Sequence, residues 1–124
     1  MRMVYTIPEI PPSNNKYFGR KNVWEYREEK KRWADLVALF CRPRPDKPIE
    51  RAKITLRYYF SRRVRRDPDN YSGKMILDGL VRCGIIQDDS FDRIELVLQC
   101  GGYDSKNPRV EIEVDDLHDE SVLP

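Results

Sequence analysis

Short apolar runs alternate along this chain with polar, turn-rich spacers, and the period of each run predicts its element. Residues 2–7 (RMVYTI) alternate weakly and read as a strand, which the prolines of PEIPPSNNKY end. From Trp24 to about Phe40 the spacing is helical: Tyr26, Trp33, Leu36, Val37 and Phe40 share one face, with Glu28, Lys31 and Arg32 largely opposite. The segment CRPRPDKP carries three prolines in eight residues and cannot continue that helix. Residues 50–60 (ERAKITLRYYF) read as a second strand, with Ile54, Leu56 and Tyr58 on one face. A second helix is predicted from about Asn70 to Arg82, its apolar face made by Met75, Ile76, Leu77 and Leu80, with Gly84 as its stop. Residues 91–99 (FDRIELVLQ) and 108–114 (PRVEIEV) read as two more strands joined by a turn around Gly101-Gly102. Residues 116–124 read as a loose tail. The order β, α, β, α, β, β argues for an α+β domain, with two main helices packed on a mixed sheet.

A length of 124 residues suits one domain, 1–124, with a modest core. The charged fraction is 35%, so pairing as a homodimer would help bury apolar surface. No run approaches the eighteen apolar residues of a membrane span, and MRMVYTIPEI lacks the apolar stretch of a signal peptide, so a cytoplasmic protein is expected. Cys41, Cys83 and Cys100 are odd in number and widely spaced, which predicts reduced, mostly buried thiols and no zinc site.

Charge changes the picture more. Residues 1–66 hold 18 Lys/Arg against 7 Asp/Glu, whereas residues 67–124 hold 5 against 14. Such division between halves hints at a nucleic-acid partner, although the charges can equally mix in three dimensions.

The chemistry concentrates where the two halves meet. Arg62, Arg63, Arg65 and Arg66 run straight into Asp67-Pro68-Asp69-Asn70, and Asp88-Asp89 follow twenty residues later. Clustered guanidinium groups suit phosphate. Clustered carboxylates resist joint ionisation unless a cation sits among them, and oxygen-only ligands favour a hard ion such as Mg²⁺. Pro68 restricts Asp67 to extended geometry, in which Asp67 and Asp69 point the same way. Simpler roles compete: Asp69 as a helix cap, Asp88 as a polar turn residue, and Lys74 as half of a surface ion pair with Asp78 worth about 0.3–0.5 kcal/mol. A calcium loop starting at Asp67 fails, because Tyr71, Ser72 and Asp78 stand where its ligand, glycine and glutamate belong. Trp24, Tyr26 and Trp33 are expected in the core or a dimer interface, and Tyr58, Tyr59 and Phe60 in strand packing. No histidine in a structured region supports a Ser or Cys nucleophile.

Taken together, PPSNNKY near the N-terminus, RRDPDN, Lys74 followed by LDGL, and GIIQDD resemble the RusA family of Holliday junction resolvases, small bacterial and prophage endonucleases. The resemblance runs from about residue 7 to residue 115. It implies a homodimer that cuts four-way DNA junctions by paired symmetric nicks, using Mg²⁺ (Mn²⁺ can substitute) and leaving 5′-phosphate ends. It also assigns metal-site roles to Asp67, Asp69 and Asp89 and a catalytic role to Lys74. Between Asn70 and Lys74 stand Tyr71-Ser72-Gly73, one residue more than in the best-known members, which can be absorbed where the helix begins. Asn14 and Asn15 match the family's Asn pair, which shapes the site's edge or touches DNA.

Arg62, Arg63, Arg65 and Arg66, with Lys16, Lys30 and Lys31, are expected to bind DNA backbone. Six such contacts would give log K a slope of about −5 against log salt. Two other functions compete: a metal-dependent nuclease for other branched nucleic acids, and a non-enzymatic DNA-binding module in which the acids are structural.

Overall fold

The computed structural model describes residues 1–17 and 23–117. In chain order these form β1 (Arg2–Ile7), a 3-10 turn (Asn14–Tyr17), α1 (Val23–Phe40), β2 (Ala52–Phe60), a second 3-10 turn (Pro68–Tyr71), α2 (Lys74–Arg82), β3 (Ile94–Tyr103) and β4 (Arg109–Asp116). The strands build one mixed sheet in the order β1-β4-β2-β3. β4 runs antiparallel to both β1 and β2, and β3 runs parallel to β2. The expected α+β class and element order hold.

Register explains which face is buried. Ile54 stands opposite Val114, Leu56 opposite Ile112 and Tyr58 opposite Val110, while Tyr5 and Ile7 of β1 flank Ile112 and Val110. These side chains join Trp33 and Val37 of α1 and Met75, Ile76, Leu77 and Leu80 of α2 in one cluster. β2 also buries Thr55 on its other face, so it occupies the middle of the sheet, whereas the polar β3 lies at an edge. Gly79 sets the approach of the two helices: a Cβ there would stand 2.9 Å from Val37 Cβ.

The other face of the sheet mixes the two charge halves. Arg2 meets Asp115 at 2.7 Å, and Arg57 and Arg109 both meet Glu111, at 3.5 and 3.7 Å. Arg2–Asp115 and Arg57–Glu111 thus pair the basic half of the chain with the acidic half across neighbouring strands, whereas Arg109 and Glu111 share β4.

Several expectations are corrected. Gly101 and Gly102 are not a turn but lie inside β3, beside a register shift after Tyr58. The ring of Tyr59 lies against Gly101, where a Cβ would fall 2.5 Å from its Cζ. The reversal comes instead at Asp104, whose carboxylate accepts from the Lys106 and Asn107 N–H groups at 3.2 Å. Trp24 is not in the core, being 74% exposed on the single chain, whereas Trp33 is fully buried. Cys41 is buried, Cys83 half-buried and Cys100 exposed, all as free thiols. Asp116 belongs to β4 and the Leu117 N–H donates to Arg51 O, so the tail begins later than expected. Its remaining residues, 118–124, lie outside the described residues. Among those described, no helix is long and apolar enough to cross a membrane.

Candidate active site

The site is assembled where the chain leaves β2. The Arg66 guanidinium packs 4.2 Å over the Phe60 ring and donates to the carbonyls of Arg62 and Val64, which folds the arginine run back on the strand end. Asp67 then adopts extended geometry (φ −99°, ψ 136°), as a residue before proline should. The 3-10 turn that follows is anchored from beneath. Tyr71 meets Tyr58 and Phe60 edge-on, with ring centroids 5.8 and 5.2 Å away, and the Tyr58 hydroxyl donates to Tyr71 O at 2.8 Å. Burial, and secondarily the neighbouring Tyr71, raises the Tyr58 pKa, so this hydroxyl remains a donor. From the N-terminal segment, Asn14 Nδ2 donates to Asp69 O at 2.9 Å and to Ser72 Oγ at 3.1 Å.

The predicted helix from Asn70 is therefore two pieces. Gly73 adopts the left-handed region (φ 77°) and α2 starts at Lys74. A side chain at Gly73 would collide with Leu56, its Cβ 2.1 Å from Cδ1. Tyr71 closes the 3-10 turn, and Ser72 and Gly73 form the joint, so the longer spacing is absorbed before α2 rather than within it. Asp69 does not cap α2, whose N-cap is Gly73, and it leaves extended geometry for the 3-10 turn. At the other end Gly84 (φ 82°) terminates α2 as expected, with Ile85 N–H returning to Leu80 O at 3.0 Å.

An open cleft of about 770 Å³ is lined by Asp67, Asp69 and Lys74, by Asn14 and Asn15, and by Lys30 of α1. Tyr26 and Arg27 also line it. The sequence reading assigned neither to the site, although both share a helical face with Lys30 by spacing. Asp89 does not reach this cleft. It lines an adjoining one of about 400 Å³ with Asp88, Asp78 and Arg82, and Lys30 lines both. Among the described residues no three acidic, His or Cys side chains are gathered closely enough to hold a metal ion.

The expected DNA-binding residues separate similarly. Arg62, Arg63 and Arg65 are exposed at the strand exit, with Arg65 Nε 3.6 Å from Asp67 Oδ1 and Arg63 5.0 Å from the Tyr103 ring. Arg66 is half-buried and already committed to Phe60 and backbone carbonyls. Lys16 is exposed in the first 3-10 turn, and Lys31 is exposed on α1 outside the cleft lining.

A family model described as Endodeoxyribonuclease RusA matches residues 9–115. The chain belongs to the RusA endodeoxyribonuclease family. Comparison with curated proteins finds no match. The RusA match spans both clefts, from Asn14 to Asp89, and both helices that shape them. Membership makes the chain an endodeoxyribonuclease and implies action at Holliday junctions in recombination. Lys30, Tyr26 and Arg27 enter the site of this RusA-family chain through tertiary packing of α1, outside the motifs that signal the family.

Proposed function

We propose that the chain resolves four-way DNA junctions by divalent-metal-dependent hydrolysis of phosphodiesters, with Asp67, Asp69 and Lys74 at the reacting phosphate. The observation that carries this reading is the shared cleft of two carboxylates and one lysine within a RusA-family chain. Two carboxylates in an open, oxygen-rich cleft fit Mg²⁺, which is commonly held by one or two carboxylates with waters and substrate phosphate completing its shell. Mn²⁺ prefers similar ligands. Asp89, across Lys30, is the third carboxylate assigned to the site. A bound Mg²⁺ supplies Lewis-acid stabilisation of the phosphate and a more acidic water.

The chain's own groups do the rest. Lys74 Nζ offsets charge developing on the phosphate oxygens, in the manner of an oxyanion hole. Arg62, Arg63 and Arg65 hold the flanking backbone, together with Lys16 and Lys31, while Arg66 braces the turn that carries Asp67. Asn14 secures that turn and Asn15 lines the DNA-facing edge. Two copies related by a two-fold axis match the near two-fold symmetry of a junction, so a cytoplasmic homodimer would make the paired nicks. The products carry 5′-phosphate and 3′-hydroxyl ends.

The test is cleavage of a labelled synthetic four-way junction with Mg²⁺, against linear duplex and EDTA controls. Paired symmetric nicks confined to the junction, abolished by EDTA and by Asp67→Asn or Asp69→Asn with binding retained, are expected. Equal cutting of linear duplex would replace the resolvase with a general nuclease. Tight binding without any nicks would leave a binding module.

A further inference from the structure

Asp78 stands one helical turn after Lys74, and its Oδ2 is buried without a hydrogen-bond partner. Buried carboxylate oxygens ordinarily accept hydrogen bonds, so this one asks for an explanation. Two ammonium groups stand just beyond hydrogen-bonding geometry from that single oxygen: Lys30 Nζ at 3.5 Å and Lys74 Nζ at 4.0 Å. Both lysine side chains are otherwise open to solvent, 45% and 62% exposed. Lys30 arrives from α1, which Gly79 allows to pack closely on α2. A structural ion pair needs one cation, and a second adds like-charge repulsion. Lys30 lines both the Asp67/Asp69 cleft and the Asp88/Asp89 cleft, Lys74 the first and Asp78 the second, so the two ammonium groups stand between the acid-lined clefts.

We propose that Asp78 is a positioning residue that holds Lys30 and Lys74 as a pair between the two acid-lined clefts, and that Lys30 is a second cation on the phosphate being cut. This rests on the endonuclease reading of the cleft. Lys30 forms no covalent bond. Its ammonium leaves Asp78 for a phosphate oxygen as negative charge builds there, and the loosely held geometry makes that exchange cheap. Lys30 therefore differs from Lys31, one residue on, which lines neither cleft.

The experiment measures single-turnover cleavage of a four-way junction with Mg²⁺, junction affinity and its salt dependence, for the full chain and its Lys30→Met, Lys30→Arg, Asp78→Asn and double Lys30→Met/Asp78→Asn variants. The expected result is a loss of about 10²-fold in rate for Lys30→Met, with affinity changed less than about threefold and partial recovery in Lys30→Arg. Asp78→Asn lowers the rate with affinity kept, and the double variant is little worse than either single one, as for residues acting as a unit. A Lys30→Met protein that cuts at the normal rate, with a salt slope shallower by about 0.9, makes Lys30 only a backbone contact and overturns the proposal. A normal rate in Asp78→Asn overturns the positioning role. Lys30 is exposed, so its variants decide the matter even where Asp78→Asn folds poorly. Cleavage by the unaltered chain that Asp67→Asn abolishes, alongside an unaffected Lys30→Met, sinks this inference alone. Absence of cleavage by the unaltered chain sinks the reading beneath it as well.

Discussion

Replacing Gly73 by alanine tests whether the cleft depends on the left-handed joint between the 3-10 turn and α2. At φ 77° an alanine costs about 1–2 kcal/mol of backbone strain. Its Cβ would also stand 2.1 Å from Leu56 Cδ1 and 3.4 Å from the Tyr58 hydroxyl. Leu56 is fully buried on the central strand, so it cannot swing aside into solvent, and overpacking of this kind costs about 1–3 kcal/mol. The sum, about 2–5 kcal/mol, is a large part of the roughly 5–15 kcal/mol that holds a small domain together. Gly84→Ala is the internal control. It shares a positive φ of 82° but has nothing within 4 Å of the new Cβ, so it bears the strain alone. Effects of Gly→Ala on the unfolded chain are similar at the two sites and cancel in the difference. Urea unfolding should therefore show Gly73→Ala as the less stable by about 1–3 kcal/mol. Because the same collision displaces the start of α2, Lys74 moves relative to Asp67 and Asp69, and a misplacement near 1 Å costs about 10²-fold in rate. Gly73→Ala should lose junction cleavage while circular dichroism still reports a folded protein, and Gly84→Ala should keep it. Equal stability of the two variants would refute the packing argument. A destabilised but fully active Gly73→Ala would refute the link between joint and site.

Tyr58→Phe removes the hydroxyl that donates to Tyr71 O and leaves that carbonyl without its partner, so a loss of about 1–3 kcal/mol is expected by urea unfolding. The same variant should slow cleavage more than it weakens junction binding, because it frees the turn carrying Asp69. Alkaline stability follows from burial: the Cys41 thiol is pushed up to about 12 by desolvation, and desolvation likewise lifts Tyr5 to about 12. Below about pH 8.5 the folded and unfolded thiols are both protonated. Above it the unfolded chain releases a proton that the folded one keeps, so stability falls as pH rises toward 12. Urea midpoints at pH 8 and 10.5 should show that fall, reduced in Cys41→Ala; an unchanged difference in the variant would count against it. Arg62→Ala and Arg65→Ala should each weaken junction binding and make the salt slope shallower by about 0.9, with little change in saturated rate.

The parts of this chain that could be read from sequence are those set by neighbours along it. β1, α1 and β2 lie within a residue or two of their expected limits, because each carries its own period and is ended by proline or a polar break. Gly84 works as a helix stop for an equally local reason. The errors share a different origin. Gly101-Gly102 looked like a turn because two glycines in succession usually are one, yet here Gly101 makes room for the Tyr59 ring from the neighbouring strand. The helix expected from Asn70 breaks at Gly73 because Leu56, seventeen residues back, lies beneath it. Both glycines answer to a contact across β2, and nothing adjacent in sequence records that contact.

The same division runs through the site. Asp67, Asp69 and Lys74 were legible because eight consecutive residues bring them to one cleft. Asp89 shares their motif chemistry but reaches the neighbourhood through α2 and the turn after it, and the wall between the two clefts belongs to α1. That wall is where Lys30 and Asp78 meet, a pairing between residues 48 positions apart whose distance depends on Gly79 seating against Val37. Enlarging Gly79 should therefore disturb the site without touching any acid. Gly79→Ala sets a Cβ 2.9 Å from two Val37 carbons in the buried core, so α1 and α2 must part by a few tenths of an ångström or more. Lys30 retreats with α1, while Lys74 and Asp78 remain together on α2. A rate loss in Gly79→Ala that vanishes in a Lys30→Met background would show that helix packing acts on cleavage through this one lysine. Equal losses in both backgrounds would show that it acts through the helix bearing Lys74 instead.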